Sequence, residues 1–168
     1  RTALLIADVS GHGVSAAMLT GIVKSAFHAS HVDGFDPSAV VQRVSPGPVA
    51  PVANTVLSYS GGGDVTAAVT ALPGSPTDAT PGCEAADLTG FPVGGVALVP
   101  RGGCTFATKA QNAYTAGASA LVIANNVTGE VNGTLGEGFA LDIPVTSVTQ
   151  SVGAELAATS GLVLRVAT

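Results

Sequence analysis

Two short apolar runs separated by a segment with helical spacing constrain the fold of this chain most. The runs cover residues 96–99 and 120–124, and a strand that is apolar on both sides is typically buried on both faces of a sheet. Between them, residues 106–116 place apolar side chains three and four positions apart, which predicts a helix lying on that sheet. The three segments together predict a strand–helix–strand unit.

The helix predicted over residues 106–116 has two distinct faces. Its sheet-facing side is expected to carry Phe106, Ala110, Ala113 and Gly117. Its solvent-facing side is expected to carry Thr108, Lys109, Gln111, Asn112 and Thr115. Gly117 suits the helix C-terminus, where the backbone often turns left-handed.

The same alternation continues towards the end of the chain. We predict a strand over 145–149, a helix over 152–158 and a strand over 162–166. Upstream, β-branched runs at 52–60 and 65–72 flank three glycines and predict a hairpin. The main domain is therefore expected to be of the α/β class.

A proline-rich seam divides the chain near residue 45. Three of the seven residues 45–51 are prolines, which prevents helix continuation and favours an extended linker. Before the seam, residues 3–9 predict a buried strand and residues 14–30 a helix. A short second helix is predicted from Asp36 to Arg43. We therefore expect a strand–helix fragment over 1–44, a linker over 45–53 and the main domain over 54–168.

Composition excludes several classes of partner. The net charge is −5 and there is no basic run to neutralise a phosphate backbone, so nucleic acid is not expected. No stretch reaches the roughly 18 apolar residues needed for a membrane span. Because the chain starts at Arg1 and continues directly into an apolar run, we expect it to be a fragment whose true N-terminus, with any targeting segment, lies upstream.

Several motifs in order carry a resemblance to a known family. They are Gly82-Cys83-Glu84-Ala85-Ala86-Asp87, residues 96–106 with the run Pro100-Arg101-Gly102-Gly103-Cys104, and Lys109-Ala110-Gln111-Asn112-Ala113, followed by Asn125-Asn126 and Ile143-Pro144-Val145. Residues 54–168 resemble the protease-associated (PA) domain, in the form found within or beside zinc aminopeptidases and subtilisin-like proteases. The resemblance implies a β-sandwich or barrel-like sheet flanked by helices, to which the front segment adds a strand–helix appendage.

The two cysteines gain a role from this resemblance. A bond between Cys83 and Cys104 would tie the long polar loop to the end of a strand, whereas two reduced thiols remain the alternative. In the chain-entropy model, the bond would contribute up to about 3 kcal/mol.

The main domain lacks the residues of a hydrolytic centre. From Asn54 onward there is no histidine, so neither a Ser-His-Asp triad nor a His-containing zinc site can be assembled from it. Acidic residues such as Glu84 and Asp87 could be interpreted as acid/base pairs, but lone carboxylates in polar loops are usually solvated. We therefore expect no catalytic residue and no cofactor in this part. The predicted binding loops are Gly-rich and contain Gly129, Glu130, Gly136 and Glu137.

The first 43 residues carry a second resemblance. Asp8-Val9-Ser10-Gly11-His12-Gly13, preceded by an apolar strand and followed by a helix, is similar to the metal-binding motif of bacterial metal-dependent serine/threonine phosphatases of the stress-response and sporulation branch. The resemblance implies Asp8 as a carboxylate ligand and Val9 as a carbonyl ligand of Mn²⁺ or Mg²⁺. The family's other aspartate motifs are missing, and one carboxylate does not hold two hard cations against water.

The leading hypothesis is a non-catalytic module of a secreted peptidase that contacts a peptide or protein substrate, or a neighbouring peptidase domain, and controls access. The alternative is an inactive or incomplete fragment of a Mn- or Mg-dependent phosphatase, which would be cytoplasmic. Since the two resemblances belong to different settings, we interpret the chain as a natural or artificial fusion. A third possibility is that the front strand extends the main sheet.

Overall fold

The computed structural model describes residues 40–72 and 81–168, all of which belong to one unit, Ser38–Thr168. The strands are β1 Val40–Ser45, β2 Ala50–Pro51, β3 Thr55–Val56, β4 Asp64–Ala71, β5 Val96–Pro100, β6 Ala120–Ala124, β7 Val145–Val148 and β8 Val163–Ala167. The helices are α1 Phe106–Thr115, α2 Gln150–Ala158 and a single 3₁₀ turn, Ala85–Leu88.

The eight strands form one mixed sheet in the order β2-β1-β8-β4-β5-β6-β7-β3. Strands β4 to β7 run parallel, whereas β1, β3 and β8 pair antiparallel with their neighbours. Helix α1 connects β5 to β6 and α2 follows β7. This mixed sheet with its helices confirms the α/β class and the predicted strand–helix–strand unit.

Chain connectivity requires this sheet to curl. Strands β2 and β3 stand at opposite ends of the strand order, yet only residues 52–54 separate them. A flat eight-stranded sheet would place its edge strands about 34 Å apart, whereas four residue steps reach at most about 14 Å. The two edges must therefore approach each other, which gives the barrel-like shape that the family resemblance implies.

Strand β4 links the two halves of the curled sheet by changing its partner midway. Its first five residues, 64–68, pair antiparallel with β8, and its last three, 69–71, pair parallel with β5. The two runs predicted as a hairpin therefore do not pair with each other, because β3 pairs with β7. The hairpin prediction is wrong since local turn chemistry was outweighed by these longer-range pairings.

Strands β5 and β6 are buried on both faces. One face contributes Ala97, Val99, Leu121 and Ile123 to a cluster that contains residues of α1 and the 3₁₀ turn. The other face contributes Val96, Leu98, Ala120 and Val122 to a second cluster with β1, β8 and α2. Burying each large aliphatic side chain stabilises the fold by about 1.5–3 kcal/mol, so this double burial explains the continuous apolar runs.

Both helices begin with a threonine cap. Thr105 Oγ1 accepts a hydrogen bond from the Thr108 amide at 3.1 Å, and Thr149 Oγ1 accepts one from the Val152 amide at 3.4 Å. Each cap satisfies one of the amides that a helix start leaves unpaired. Helix α1 ends as predicted, since Gly117 has φ +89°.

Residues 40–51 differ from the prediction. Val40–Ser45, expected to include the end of a short helix, is strand β1, and Ala50–Pro51 within the expected linker pairs with it. Strand β1 pairs with β8 from Val40 to Ser45, and Val41 is 1% exposed. The strand conformation of this segment therefore depends on a partner more than one hundred residues away, which local propensity could not reveal. The predicted elements before Val40 lie outside the described residues, and the three-part division of the chain stays a prediction.

Candidate functional site: a fastened loop and the two ends of the sheet

The loop before β5 is covalently fastened to the segment before α1. Cys83 and Cys104 form a disulfide with their Cα atoms 5.7 Å apart, within the usual range for such a bond. The predicted pairing is confirmed, and the alternative of two reduced thiols is wrong for this structure.

Helix α1 holds the same loop at two further points. The Lys109 ammonium donates a hydrogen bond to the Pro81 carbonyl, and Asn112 Nδ2 donates one to the Gly82 carbonyl at 3.1 Å. Lys109 is fully buried, so its prediction as a solvent-facing residue is wrong. The sequence carried a signal for this, because Lys109 lies three residues after Phe106 and four before Ala113, on the buried side.

Two acidic residues of this loop have a structural role. Asp87 Oδ2 accepts a hydrogen bond from the Glu84 amide at 3.0 Å, and the Glu84 side chain accepts one from the Asp87 backbone. This reciprocal pair is a capping box at the start of the 3₁₀ turn. The structure therefore gives Glu84 and Asp87 a capping arrangement rather than that of an acid/base pair.

At the carboxyl ends of β5 and β6, one buried amide shapes a surface loop. Asn125, 4% exposed, accepts hydrogen bonds at Oδ1 from Arg101 Nη1 at 3.1 Å and from the Asn126 amide at 2.9 Å. Its Nδ2 donates to the Gly129 carbonyl at 2.9 Å. The exposed residues Gly129 and Glu130 are therefore presented by a fixed turn.

The other predicted binding residues lie beside a different part of the sheet. Gly136 and Glu137 follow Leu135, whose amide donates a hydrogen bond to the Ser58 carbonyl at 3.0 Å, just beyond β3. Residues 131–135 thus separate the two predicted pairs. The structure does not bring Gly129 and Glu130 together with Gly136 and Glu137 into one site.

Two surface depressions flank the segment that joins β2 to β3. One, with a cavity volume of about 20 Å³, is lined by residues that include Asn54, Glu130 and Thr149. The other, with a cavity volume of about 140 Å³, is lined by residues that include Arg43 and Glu155. Typical small-molecule sites occupy about 300–1,000 Å³, so both depressions are smaller than such a site.

Arg165 and Asp64, both in the described ranges, form an ion pair between two strands of the sheet. Arg165 donates to both carboxylate oxygens of Asp64, at 2.9 and 2.6 Å. These bonds hold the pKa of Asp64 below its ordinary value of 3.8. The pair is solvent-exposed and joins β8 to β4.

Across residues 40–72 and 81–168, no three metal-ligating side chains come together. Within those ranges no helix is long and apolar enough to cross a membrane. The predicted metal ligands Asp8 and Val9 lie outside the described residues. What the structure defines is a mixed α/β domain with a curled sheet, a disulfide-tied loop and shaped loops at both ends of its parallel strands.

Residues 64–156, more than half of the chain, match the PA domain family. The chain therefore belongs to the protease-associated domain family. Residues 1–46 match the Stage II sporulation protein E (SpoIIE) family, so both suspected resemblances are confirmed.

Curated relatives and solved structures agree with this family. A probable lipoprotein aminopeptidase, LpqL, of Mycobacterium tuberculosis is 42% identical over 130 residues, covering 74% of this chain and 26% of that protein. A Pseudomonas aeruginosa aminopeptidase is 40% identical over 118 residues, covering 66% of this chain and 22% of that protein. The chain thus spans about a quarter of the length of these relatives.

Among solved structures, an aminopeptidase from Aneurinibacillus sp. strain AM-1 superposes with a TM-score of 0.63 at 28% identity, covering 78% of this chain and 30% of that chain. A zinc aminopeptidase from Bacillus subtilis gives 0.61 at 22% identity, covering 92% of this chain and 38% of that chain, and supports the fold.

Proposed function

We propose that the PA domain of this chain is a non-catalytic accessory module of a secreted peptidase of the aminopeptidase kind. The observation that carries this proposal is family membership combined with coverage: a PA domain matches only about a quarter of each aminopeptidase relative. The module would contact a peptide or protein substrate, or the neighbouring peptidase domain, and limit access to it.

The chemistry of the domain supports a role without catalysis. From Asn54 onward there is no histidine to act as a base or a zinc ligand. Glu84 and Asp87 are engaged in a cap, and Asp64 is paired with Arg165. No cofactor is required for a role exerted through surface shape and hydrogen bonding.

The exposed turns at Gly129–Glu130 and Gly136–Glu137 are the proposed contact loops. Both turns have glycines with positive φ, +98° at Gly129 and +93° at Gly136, and place a carboxylate beside the turn. Loops fixed on a rigid scaffold are where proteins commonly place contact residues.

We place this module outside the cytoplasm, in the extracellular space or the cell envelope. A disulfide persists in oxidising compartments, and one relative is described as a lipoprotein aminopeptidase. The cytoplasmic alternative has no support from these relatives.

A hybrid enzyme tests the accessory role. The matching segment of the P. aeruginosa aminopeptidase is replaced by that of this chain, and hydrolysis of leucine p-nitroanilide and of longer peptides is compared with a variant that lacks the segment. We expect the hybrid and the deletion variant to differ in KM for longer peptides. We also expect the hybrid that carries both Glu130→Gln and Glu137→Gln to show a shifted KM for those peptides. Glu155→Gln, on α2, is the matched control.

Two results would contradict the proposal. One is identical peptide kinetics for the hybrid and the deletion. The other is hydrolysis of leucine p-nitroanilide by the purified 168-residue chain with added Zn²⁺ above the rate with Zn²⁺ alone.

The match of residues 1–46 to SpoIIE keeps a second candidate function, a piece of a metal-dependent phosphatase. In that case Asp8 and Val9 would contact Mn²⁺ or Mg²⁺. The test is hydrolysis of p-nitrophenyl phosphate with added Mn²⁺: turnover that Asp8→Ala abolishes would establish an active piece, and no turnover would reject activity and leave only an inactive fragment.

A further inference from the structure

The starts of the parallel strands β5, β6 and β7 meet at one end of the sheet. The loops before β5 and β6 are joined there, because the Gly94 amide donates to the Gly117 carbonyl at 2.7 Å and Ser119 Oγ donates to the Gly94 carbonyl at 2.7 Å. The loop that leads from β3 to β4 lies at the start of β7, where the Val145 amide donates to Ser60 Oγ at 2.8 Å.

Three large apolar side chains stand out from this end into solvent. They are Tyr59, 55% exposed, Val93, 86% exposed, and Tyr114 in the last turn of α1, 44% exposed. With strands about 4.8 Å apart, the starts of β5 and β7 lie about 10 Å from each other. We call the surface formed by Tyr59, Val93 and Tyr114 the amino-end surface.

Single exposed apolar residues are common on proteins and need no explanation. Here, however, the described ranges contain five exposed large apolar side chains, and three of them belong to this one end. Tyrosine is among the residues that most often anchor protein interfaces.

Tyr59 is held out by a strained backbone. Its φ is +66°, which makes it the non-glycine residue with positive φ in the described ranges. The left-handed conformation costs such a residue about 1–2 kcal/mol. The next two residues are fixed, since the Ser60 amide donates to the Leu57 carbonyl and Gly61 lies so close to the Ile143 backbone that a Cβ would collide with it.

The first and last strands of the domain lead to the same place. Thr168 donates to the Gly63 carbonyl through its amide at 3.0 Å and to the Gly61 carbonyl through Oγ1 at 2.7 Å. Val40 is the Cα partner of Ala167. The start of β1 and the end of β8 therefore both lie near the loop that carries Tyr59.

We propose that the amino-end surface is the face by which this domain packs on the catalytic domain of a peptidase, with Tyr59 as its anchor. This rests on the proposed function, in which such a catalytic domain is the neighbour. A catalytic domain joined to this domain by a short linker would meet the exposed apolar patch at high effective concentration. The strained conformation of Tyr59 would then be retained for the interface rather than for the fold of the domain itself.

The experiment compares each variant in two settings: the 168-residue chain alone and the P. aeruginosa hybrid that contains residues 40–168. Tyr59→Gly removes the ring and the left-handed strain together. We expect it to leave unchanged or raise the melting temperature of the chain alone, and to lower that of the hybrid by several degrees. Val93→Ala should also lower the melting temperature of the hybrid but not that of the chain alone. Val49→Ala is the matched control, because Val49 lies between β1 and β2, at the other end of β1, and it should lower neither melting temperature.

Nitration by tetranitromethane provides a second readout that needs no substitution. Tyr59 should be nitrated about tenfold more slowly in the hybrid than in the chain alone, as expected for a side chain withdrawn from solvent at an interface. Equal nitration in both settings, or equal effects of Tyr59→Gly in both, would overturn the proposal. A hybrid that shows the Tyr59 effects but has the kinetics of the segment deletion would contradict the proposed function and leave the docking face standing.

Discussion

Removing the disulfide is expected to destabilise the domain through its unfolded state. The bond closes a loop across a sequence separation of 21, and the chain-entropy relation gives about 3 kcal/mol for such a loop. For a unit of about 130 residues, with an unfolding entropy near 0.27 kcal/mol/K, this corresponds to a fall of about 11 °C in melting temperature. We expect the variant with both Cys83→Ala and Cys104→Ala to show this loss in thermal and urea unfolding.

The native loop should survive this change. Lys109 and Asn112 still hold the carbonyls of Pro81 and Gly82, so the folded variant should keep the amide-exchange protection of the 3₁₀ turn. Wild-type protein reduced with dithiothreitol is the matched control and should lose the same stability. Rapid exchange throughout the loop before β5, or a loss well below 1 kcal/mol, would refute the reasoning that the bond acts mainly on the unfolded chain.

Three further predictions concern single side chains. Because Arg165 lowers the pKa of Asp64, the ion pair should stabilise the fold above pH 3.8 and lose this effect as the pH falls through the lowered pKa; wild type and Asp64→Asn should therefore differ in urea midpoint at pH 6 and converge in acid. Gly153→Ala should destabilise by about 1–3 kcal/mol in urea unfolding, because its Cβ would overlap that of Ala124. Asn125→Ala should cost about 2 kcal/mol, since it leaves the groups that it satisfies unpaired, and should speed amide exchange in the following turn.

Matched controls separate these effects from general sensitivity. Gly62→Ala places its Cβ in open space and should be nearly neutral, and Asn126→Ala, at an exposed position, should cost much less than Asn125→Ala. High salt should shrink the Asp64→Asn difference at pH 6, because surface pairs are screened. The packing explanation would be contradicted if Gly153→Ala were as stable as Gly62→Ala. The hydrogen-bond explanation would be contradicted if Asn126→Ala were as unstable as Asn125→Ala. The ion-pair explanation would be contradicted if the stability difference between wild type and Asp64→Asn grew in acid.

Local patterns in the sequence were sufficient for the elements whose partners are near in the chain. The apolar runs of β5 and β6 and the spacing of α1 are set within 30 residues, and the connection is short enough for local propensity to decide it. The Cys83–Cys104 pairing likewise followed from the family motifs and the presence of two cysteines. Among the candidate site residues, the sequence identified the exposed turns at Gly129 and Gly136 as possible contact loops, and their binding role stays a prediction.

Tertiary structure alone decided the elements that depend on distant partners. Strand β1 exists because β8, more than one hundred residues away in the chain, supplies its hydrogen bonds. Strands β3 and β4 do not pair with each other, because β3 pairs with β7 and β4 pairs with β8 and β5. Lys109 is buried because the disulfide-tied loop covers it and offers the Pro81 carbonyl as a hydrogen-bond acceptor. A helix prediction that assigns polar residues to the solvent side does not include this contact. Local sequence specifies which segments can be strands or helices, but hydrogen bonds between strands and the burial of a charge are completed only by groups that folding brings together.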